Sequence, residues 1–474
     1  MFTLEEIIRA MTGKNTAENR ITFTEAVIDS RKAAVGTLFA AIPGEQTDGH
    51  RFISSAFDNG ARAALIEEDV PGDFDVLDLR DGKISGQEQI SYEKPFAIRV
   101  NNTVEALQKT AACHRRELSR MNVVGITGSV GKTTTKELIY DVLSGHFSTL
   151  KTLGNMNNEI GLPLTLLRGS EDIEQAVLEM GFYVPGEIDQ LCQIALPSVG
   201  VITNVGMVHA SRAGSMEVIA RGKSELIQAL PDNGTAILNR DDPYVRPMAE
   251  LTKAKVLYYG LDPAADLYAN NVESHGADGI SFDMHWQGEK RHVQSPLVGA
   301  HSALTCLRGA AVGFAAGMEW DEIITALSYS HSSLRMRFTH TKGGAVLIDD
   351  SYNASPDASI AALNLLRQIP GRRIAILGEM RELGQYDQKG HEMVGTRAAE
   401  CCDVLITAGP VTRYITDAAA SAGMKADRIH WFETVPEVIE FLKEGYGIED
   451  DVLLVKGSLA MHMDRIVSEF EERK

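Results

Sequence analysis

The stretch Gly128-Ser129-Val130-Gly131-Lys132-Thr133-Thr134 puts two glycines, a cation and several hydroxyls between an apolar run, Met121 to Ile126, and a helix-forming sequence. A glycine-containing turn from strand to helix lets backbone N–H groups converge on an anion where the helix dipole also favours negative charge. Lys132 would then meet the outer phosphates of a nucleotide, and Thr133 a magnesium ion. The common phosphate loop carries a further glycine where this chain has Ile126, so the turn is a shortened variant framed by Gly128 and Gly131. An ordinary βα turn with a lysine is the plainer reading; the strand before, the helix after and the GKTTT run favour nucleotide binding.

Glu179 and His209 each follow a short apolar run, "AVLEM" and "VGVITNV". If these runs are parallel strands, both residues reach the sheet edge where the loop would hold phosphate, and with Thr133 they could form a magnesium shell. A lone histidine at a strand end is more often structural; co-location with the loop is what favours a ligand.

The elements that must position these groups follow from the apolar pattern. Residues 1–104 read as a small α/β domain, with "MFTLEEIIRAMTGK" an amphipathic helix lacking the positive start of an export signal. Residues 105–333 alternate helix and strand, predicting a mostly parallel sheet. Residues 334–474 contain "AVLIDD", "RIAILGEM", "DVLITAG" and "DVLLVKGS" separated by helical stretches, a Rossmann-like pattern without the dinucleotide glycine fingerprint. With 474 residues and a formal charge of −19, the chain is expected to be a soluble, cytoplasmic, monomeric protein with no basic surface for nucleic acid or anionic membrane. Its five cysteines have no metal-type spacing and are expected as reduced, packed thiols.

The segments "DSRKAAVGTLFAAIPGEQTDGH", "GITGSVGKTTTKE", "GNMNNEIGLPLTLL", "LEMGFYVPGEI", "ITNVGMVH", "ARGKSEL", "IDDSYNASPD" and "GEMRELG" resemble, in order and spacing, the Mur ligases. The resemblance spans essentially the whole chain and implies a UDP-precursor domain, a central phosphate-loop ATPase and a C-terminal Rossmann-like domain. It implies ATP-driven amide formation through an acyl phosphate, joining D-alanyl-D-alanine to UDP-N-acetylmuramoyl-tripeptide in peptidoglycan precursor synthesis; a related ligase acting on another acid or amine is the alternative. Residue by residue, it implies that Lys132 stabilises the β- and γ-phosphates, that Thr133 and Glu179 hold one Mg2+ and His209 a second, and that Lys223 is carbamylated and serves the metal site. Asn158, with Asn155 and Asn157 as rivals, would lie near the triphosphate, Thr305 near the base, Asp350 at the ribose, and Arg335 or Arg337 at the γ-phosphate. Ser30, Arg31, Thr47, Asp48 and Gly49 would receive the UDP portion, and Tyr352, Asn353 and Glu382 the reacting carboxylate and dipeptide.

The chain departs from the family pattern at Tyr183, Ser302, Thr305, Ser355 and Leu459. Asparagines are usual at 302, 305 and 355, an asparagine-like residue at 183 and an arginine at 459. These departures bear on base recognition and substrate identity and leave the phosphate loop, the magnesium residues and Lys223 in place.

Overall fold

The computed structural model describes residues 1–15, 21–44, 47–86, 90–207, 211, 214–329 and 336–472. They form an α/β protein with three main sheets, in keeping with the sequence pattern. The first runs Ala26–Val27, Leu38–Ala40, Ala63–Ile66, Phe96–Arg99, Asp75–Asp78, with every pairing parallel. The C-terminal sheet runs Arg337–His340, Val346–Asp350, Asp451–Lys456, Arg372–Gly378, Val404–Ala408, Ile429–Phe432, parallel except for its first pair.

The central sheet positions the phosphate loop. Strand Asn122–Thr127 lies between Gln175–Glu179 and Val199–Ile202, all parallel, so Glu179 stands opposite Ile126 and Ile202 opposite Thr127. Three chain turns therefore leave the sheet side by side, at the C-terminal edge where ligands of parallel sheets collect. Beyond Lys255–Gly260 the sheet continues into an antiparallel extension, Leu267–Ser274, Ile280–Trp286 and Glu289–Ser295, which the alternating pattern did not reveal. Trp286 stacks on Phe314 at 5.0 Å, bracing helix Ser302–Ala315 against that extension.

Side-chain alternation divides the central core. Val123, Ala176, Leu178 and Ile202 face one cluster, and Val124, Ile126, Val177 and Val201 the other. Both faces of the sheet are thus buried, which is why its strands read as continuous apolar runs. The first cluster extends into the N-terminal domain through Leu107 and Ala111 of helix Thr103–Glu117, so the first two domains share one core. All five cysteines are free, with Cys401 and Cys402 buried in the C-terminal core. No described helix is long and apolar enough to cross a membrane.

A buried carboxylate–imidazole contact fastens this joint. Helix Leu4–Thr12 is closed at its start by a Thr3–Glu6 capping box. The other Glu6 oxygen lies 3.0 Å from Nδ1 of His114, whose Nε2 lies 3.1 Å from the Gly169 carbonyl. Burial pushes the Glu6 carboxyl up, but the hydrogen bond and charge of His114 outweigh it and hold the group below its ordinary value. A depressed carboxylate contributes stability above its unfolded value of 4.5 and loses it as pH falls through the folded value. We predict that His114→Ala, which leaves Glu6 buried without its partner, costs about 3 kcal/mol. Urea unfolding of the variant should show a lower midpoint, and the gap from the native chain should narrow as pH falls below the ordinary glutamate value of 4.5 and on through the lower folded value.

Candidate active site

The loop between strand Asn122–Thr127 and helix Lys132–Ser144 is held from beneath by the next strand's end. The Asn204 side-chain oxygen accepts from Val130 N–H at 2.8 Å, and Thr203 Oγ1 donates to the Val130 carbonyl at 2.8 Å. Ser129 N–H donates to the Asn204 carbonyl, and Ser129 Oγ accepts from Gly206 N–H at 2.8 Å. Gly128 has φ 148°, and a Cβ there would lie 1.8 Å from Thr203 Oγ1, so only glycine permits this approach. Gly131, at φ 82°, starts the helix without a side-chain cap. The first-turn N–H groups are consequently left for an anion at the positive end of the dipole. Lys132 folds over the loop, its Nζ donating to the Gly128 carbonyl at 2.8 Å.

A set of hard oxygen donors adjoins the loop. Thr133 Oγ1 donates to Glu179 Oε2 at 2.9 Å, while Asn157 Nδ2 donates to Glu179 Oε1 at 2.9 Å. Glu179 is 2% exposed and its backbone N–H is held by Thr152. A carboxylate and a hydroxyl this close suit a magnesium ion, which takes oxygen ligands and keeps several waters. Among the described residues no group of three or more His, Cys, Asp or Glu side chains could hold a metal by itself, so the fit rests on this pair beside the loop.

Lys223 lies on helix Met216–Gln228 with 1% exposure, its Nζ 4.8 Å from the centre of the Phe182 ring. Burial, then the like charge of Lys132, push its amine well below the ordinary lysine value. The cleft, about 490 Å³, continues to the third domain, where Lys456 Nζ pairs with Asp350 at 2.6 Å and donates to the Asn353 carbonyl at 2.8 Å. Glu382 adopts φ 68°, uncommon for a residue with a side chain, and its carbonyl accepts from Ser211 N–H across the two domains.

Family models cover most of this architecture. Residues 22–115 match the Mur ligase family catalytic domain, 126–313 the Mur ligase middle domain, and 334–459 the Mur ligase glutamate ligase domain. The chain belongs to the Mur ligase family. The chain is similar to the UDP-N-acetylmuramoyl-tripeptide--D-alanyl-D-alanine ligases of Bacillus subtilis (strain 168), at 32% identity over 94% of this chain and 92% of that one, and of Escherichia coli (strain K12), at 30% over 99% and 98%. Among solved structures it resembles MurF from Acinetobacter baumannii, with TM-score 0.84, 26% identity and coverage of 99% and 98%. It also resembles the MurF ligase of Thermotoga maritima in complex with ADP, with TM-score 0.76, 29% identity and coverage of 95% and 98%.

In this Mur ligase the cleft gathers Ser129, Val130, Gly131, Lys132, Thr133, Thr134, Glu179, Thr305, Asp350, Tyr352 and Asn353. Asn158 stands apart from them: its Oδ1 accepts from Gly161 N–H at 2.9 Å, at the start of the following helix, whereas Asn155 and Asn157 line the cleft. Of the three, Asn157 is the one whose side chain hydrogen-bonds Glu179. Arg337 is committed elsewhere, paired with Asp349 at 2.9 Å. His209 and Arg335 lie outside the described residues.

Ser30, Arg31, Thr47, Asp48 and Gly49 sit in the first domain, none of them lining this cleft. Arg31 is held by both oxygens of Asp29, and Asp48 accepts from the N–H of His50 at 2.9 Å, close to its ring. Of the departures, Tyr183, Ser302 and Ser355 line the cleft, while Leu459 is 58% exposed in a turn. Sequence reasoning missed Thr203, Asn204, Arg308 and Lys456. Three of these follow the pattern of polar residues at the ends of parallel strands, which could have flagged them. We predict that Gly128→Ala lowers ATP affinity by about tenfold or more, since the loop must shift to relieve the overlap with Thr203. Isothermal titration calorimetry should register the loss, with an unchanged far-UV circular dichroism spectrum.

Proposed function

We propose that this chain is the ATP-dependent ligase that joins D-alanyl-D-alanine to UDP-N-acetylmuramoyl-tripeptide, with release of ADP and phosphate, in the cytoplasmic assembly of the peptidoglycan precursor. The observation that carries this reading is the convergence of a phosphate loop, the Thr133–Glu179 pair and the buried amine of Lys223, in a chain that follows the named ligases over nearly its full length.

A carboxylate is a poor electrophile, so it must first acquire a leaving group. An oxygen of the tripeptide's terminal carboxylate bonds to the γ-phosphorus of ATP as the β–γ bridge breaks, giving an acyl phosphate and ADP. The amine of the dipeptide then attacks the acyl carbon, the C–N bond forms, phosphate departs and the amine loses a proton. Two anions meet in the first step, so fixed positive groups must stabilise the charge that builds on the transferring phosphoryl group. Lys132 would leave the loop carbonyls that it now touches and turn to the β- and γ-phosphates. Thr133 and Glu179 would hold a magnesium ion, and His209 a second, supplying charge neutralisation on the phosphate oxygens.

Lys223 would act as its carbamate. A protonated lysine cannot attack carbon dioxide, whereas an amine pushed toward its neutral form by burial and by Lys132 would: the N–C bond forms and a proton leaves. The product carries carboxylate-like oxygens that neighbouring cations and metal can use. Asp350 would meet the ribose and Arg335 the γ-phosphate. Tyr352, Asn353 and Glu382 would face the acyl group and dipeptide, and Ser30, Arg31, Thr47, Asp48 and Gly49 the UDP portion.

The direct test follows ADP and phosphate release with the UDP-tripeptide and D-alanyl-D-alanine, separately and together, with mass analysis of the product. Rapid release should require both substrates; vigorous hydrolysis with neither, or AMP and pyrophosphate as products, would exclude the proposed route. Lys223→Ala should lose most activity and regain part of it in acetate, while Lys132→Ala should not respond. Lys223→Met should also melt at a higher temperature than the native chain, because it replaces a buried amine lacking an anionic partner among the described residues with an apolar side chain. A differential scanning calorimetry trace showing no gain would mean the amine is satisfied where it stands.

A further inference from the structure

Lys136 stands in the helix that starts at the phosphate loop, one turn beyond Lys132, and the mechanism above gives it no part. Its side chain is fully buried, a state that a lysine tolerates only when partners offset the lost hydration. Its Nζ lies 2.9 Å from Glu137 Oε1 and donates to the Gly154 carbonyl at 3.4 Å. Glu137 takes Lys151 on its other oxygen, and Lys151 Nζ sits 3.9 Å from the centre of the Tyr140 ring. Burial pushes the Glu137 carboxyl up, but the hydrogen bonds and charges of Lys136 and Lys151 outweigh it and hold the group below its ordinary value. Replacing both members of such a pair by uncharged side chains of similar volume is often neutral for stability, so stability alone is a weak account of it.

What these groups hold is a loop. Lys151 ends the edge strand Thr149–Lys151, and the chain then passes through Leu153, Gly154 and Asn155, all exposed, before helix Gly161–Leu166. From this loop the end of the adjacent strand is gripped at three points. Thr152 Oγ1 accepts from Glu179 N–H at 3.1 Å, Asn157 Nδ2 donates to Glu179 Oε1 at 2.9 Å, and the Asn157 carbonyl accepts from Gly181 N–H at 2.8 Å. Thr133, Lys136 and Glu137, spaced three and four apart, share one helix face. Thr133 meets Glu179 Oε2 directly at 2.9 Å, while Lys136 and Glu137 hold the loop that grips Glu179 from its other side. One helix therefore fixes both partners of the metal-facing edge. An octahedral ion with ligands at about 2.1 Å needs neighbouring ligand oxygens about 3.0 Å apart, and the Thr133–Glu179 separation matches that spacing.

We propose that Lys136 is a positioning residue for the metal site: through Glu137 and the Gly154 carbonyl it anchors the Thr152–Asn157 loop, and that loop sets the direction of the Glu179 carboxylate. This rests on the reading of Thr133 and Glu179 as magnesium ligands, so the test measures binding and does not require turnover. The full chain is titrated calorimetrically with β,γ-methylene-ATP, once with Mg2+ and once with EDTA. In the native chain Mg2+ should raise the affinity. The double variant Lys136→Met/Glu137→Gln removes both charges at similar volume; it should lose about tenfold or more of that gain, with the affinity in EDTA and the urea midpoint close to the native values. Asn157→Ala should lose the gain to a similar extent, and adding it to the double variant should change little further, because both act on one carboxylate. A full Mg2+ gain in the double variant overturns the proposal. So does an equal loss with Mg2+ and with EDTA, the signature of a damaged phosphate loop. No Mg2+ gain in the native chain overturns the ligand reading itself, and the proposal with it. Should the double variant fail to fold, Lys151→Met decides: it frees the loop's other anchor at a partly exposed position, a reduced Mg2+ gain with native affinity in EDTA supports the proposal, and an unchanged gain overturns it.

Discussion

The site depends on how closely the turn at Gly128 can approach the end of the neighbouring strand. With no side chain at 128, Asn204 takes the Val130 N–H and Thr203 the Val130 carbonyl, and the loop becomes an extension of the sheet. The rigidity of a doubly buried parallel sheet is thereby passed to the N–H groups of the first helical turn. A loop free to move would have to be ordered each time a nucleotide bound, at a cost in affinity. Here that ordering is supplied by folding.

The second requirement is charge kept out of water. Lys132, Arg308 and Lys456 line the cleft, Lys223 lies near enough to Lys132 to feel its charge, and Lys223, Arg308 and Lys456 are almost fully buried. Each solves the desolvation problem differently. Lys456 pairs with Asp350, Lys132 leans on loop carbonyls, Arg308 on hydroxyls, and burial pushes the Lys223 amine toward its neutral form. That last solution converts a liability into a reagent, because a neutral amine is a nucleophile. The same amine out on the surface would stay charged and inert.

The third domain is brought in by backbone as much as by side chains. Glu382 is held in the left-handed region, with a strain of roughly 1 kcal/mol or more, and its carbonyl reaches Ser211 on the central domain. Asp357, at the start of helix Pro356–Gln368, packs so near Gly206 that a Cβ there would lie 2.7 Å from its carboxylate. Burial, reinforced by Asp242, pushes the Asp357 carboxyl up. The segment that supports the phosphate loop is therefore also the segment on which the third domain rests, and groups from both domains share one cleft. At the other end, the shared core and the Glu6–His114 pair fix the first domain to the second.

Much of this was legible without coordinates, for a physical reason. The phosphate loop, the carboxylate of Glu179 at a strand end and the alternation of strands and helices are local features, fixed by glycine geometry and by the period of apolar residues. The resemblance carried Lys223, which no local pattern distinguishes from a solvated helix lysine. Only the tertiary structure buried that lysine beside Lys132. It likewise turned Asn157, not Asn158, toward Glu179, because the Asn158 side chain bonds the Gly161 N–H instead. It tied Arg337 to Asp349 and Arg308 to Thr135, contacts between residues that sequence spacing does not relate. The antiparallel extension of the central sheet was also hidden, since its exposed strand, Glu289–Ser295, is mostly polar and its helix support lies after it in the chain. Sequence determined which groups are present and the elements that carry them; packing decided which are dry, and therefore which can act.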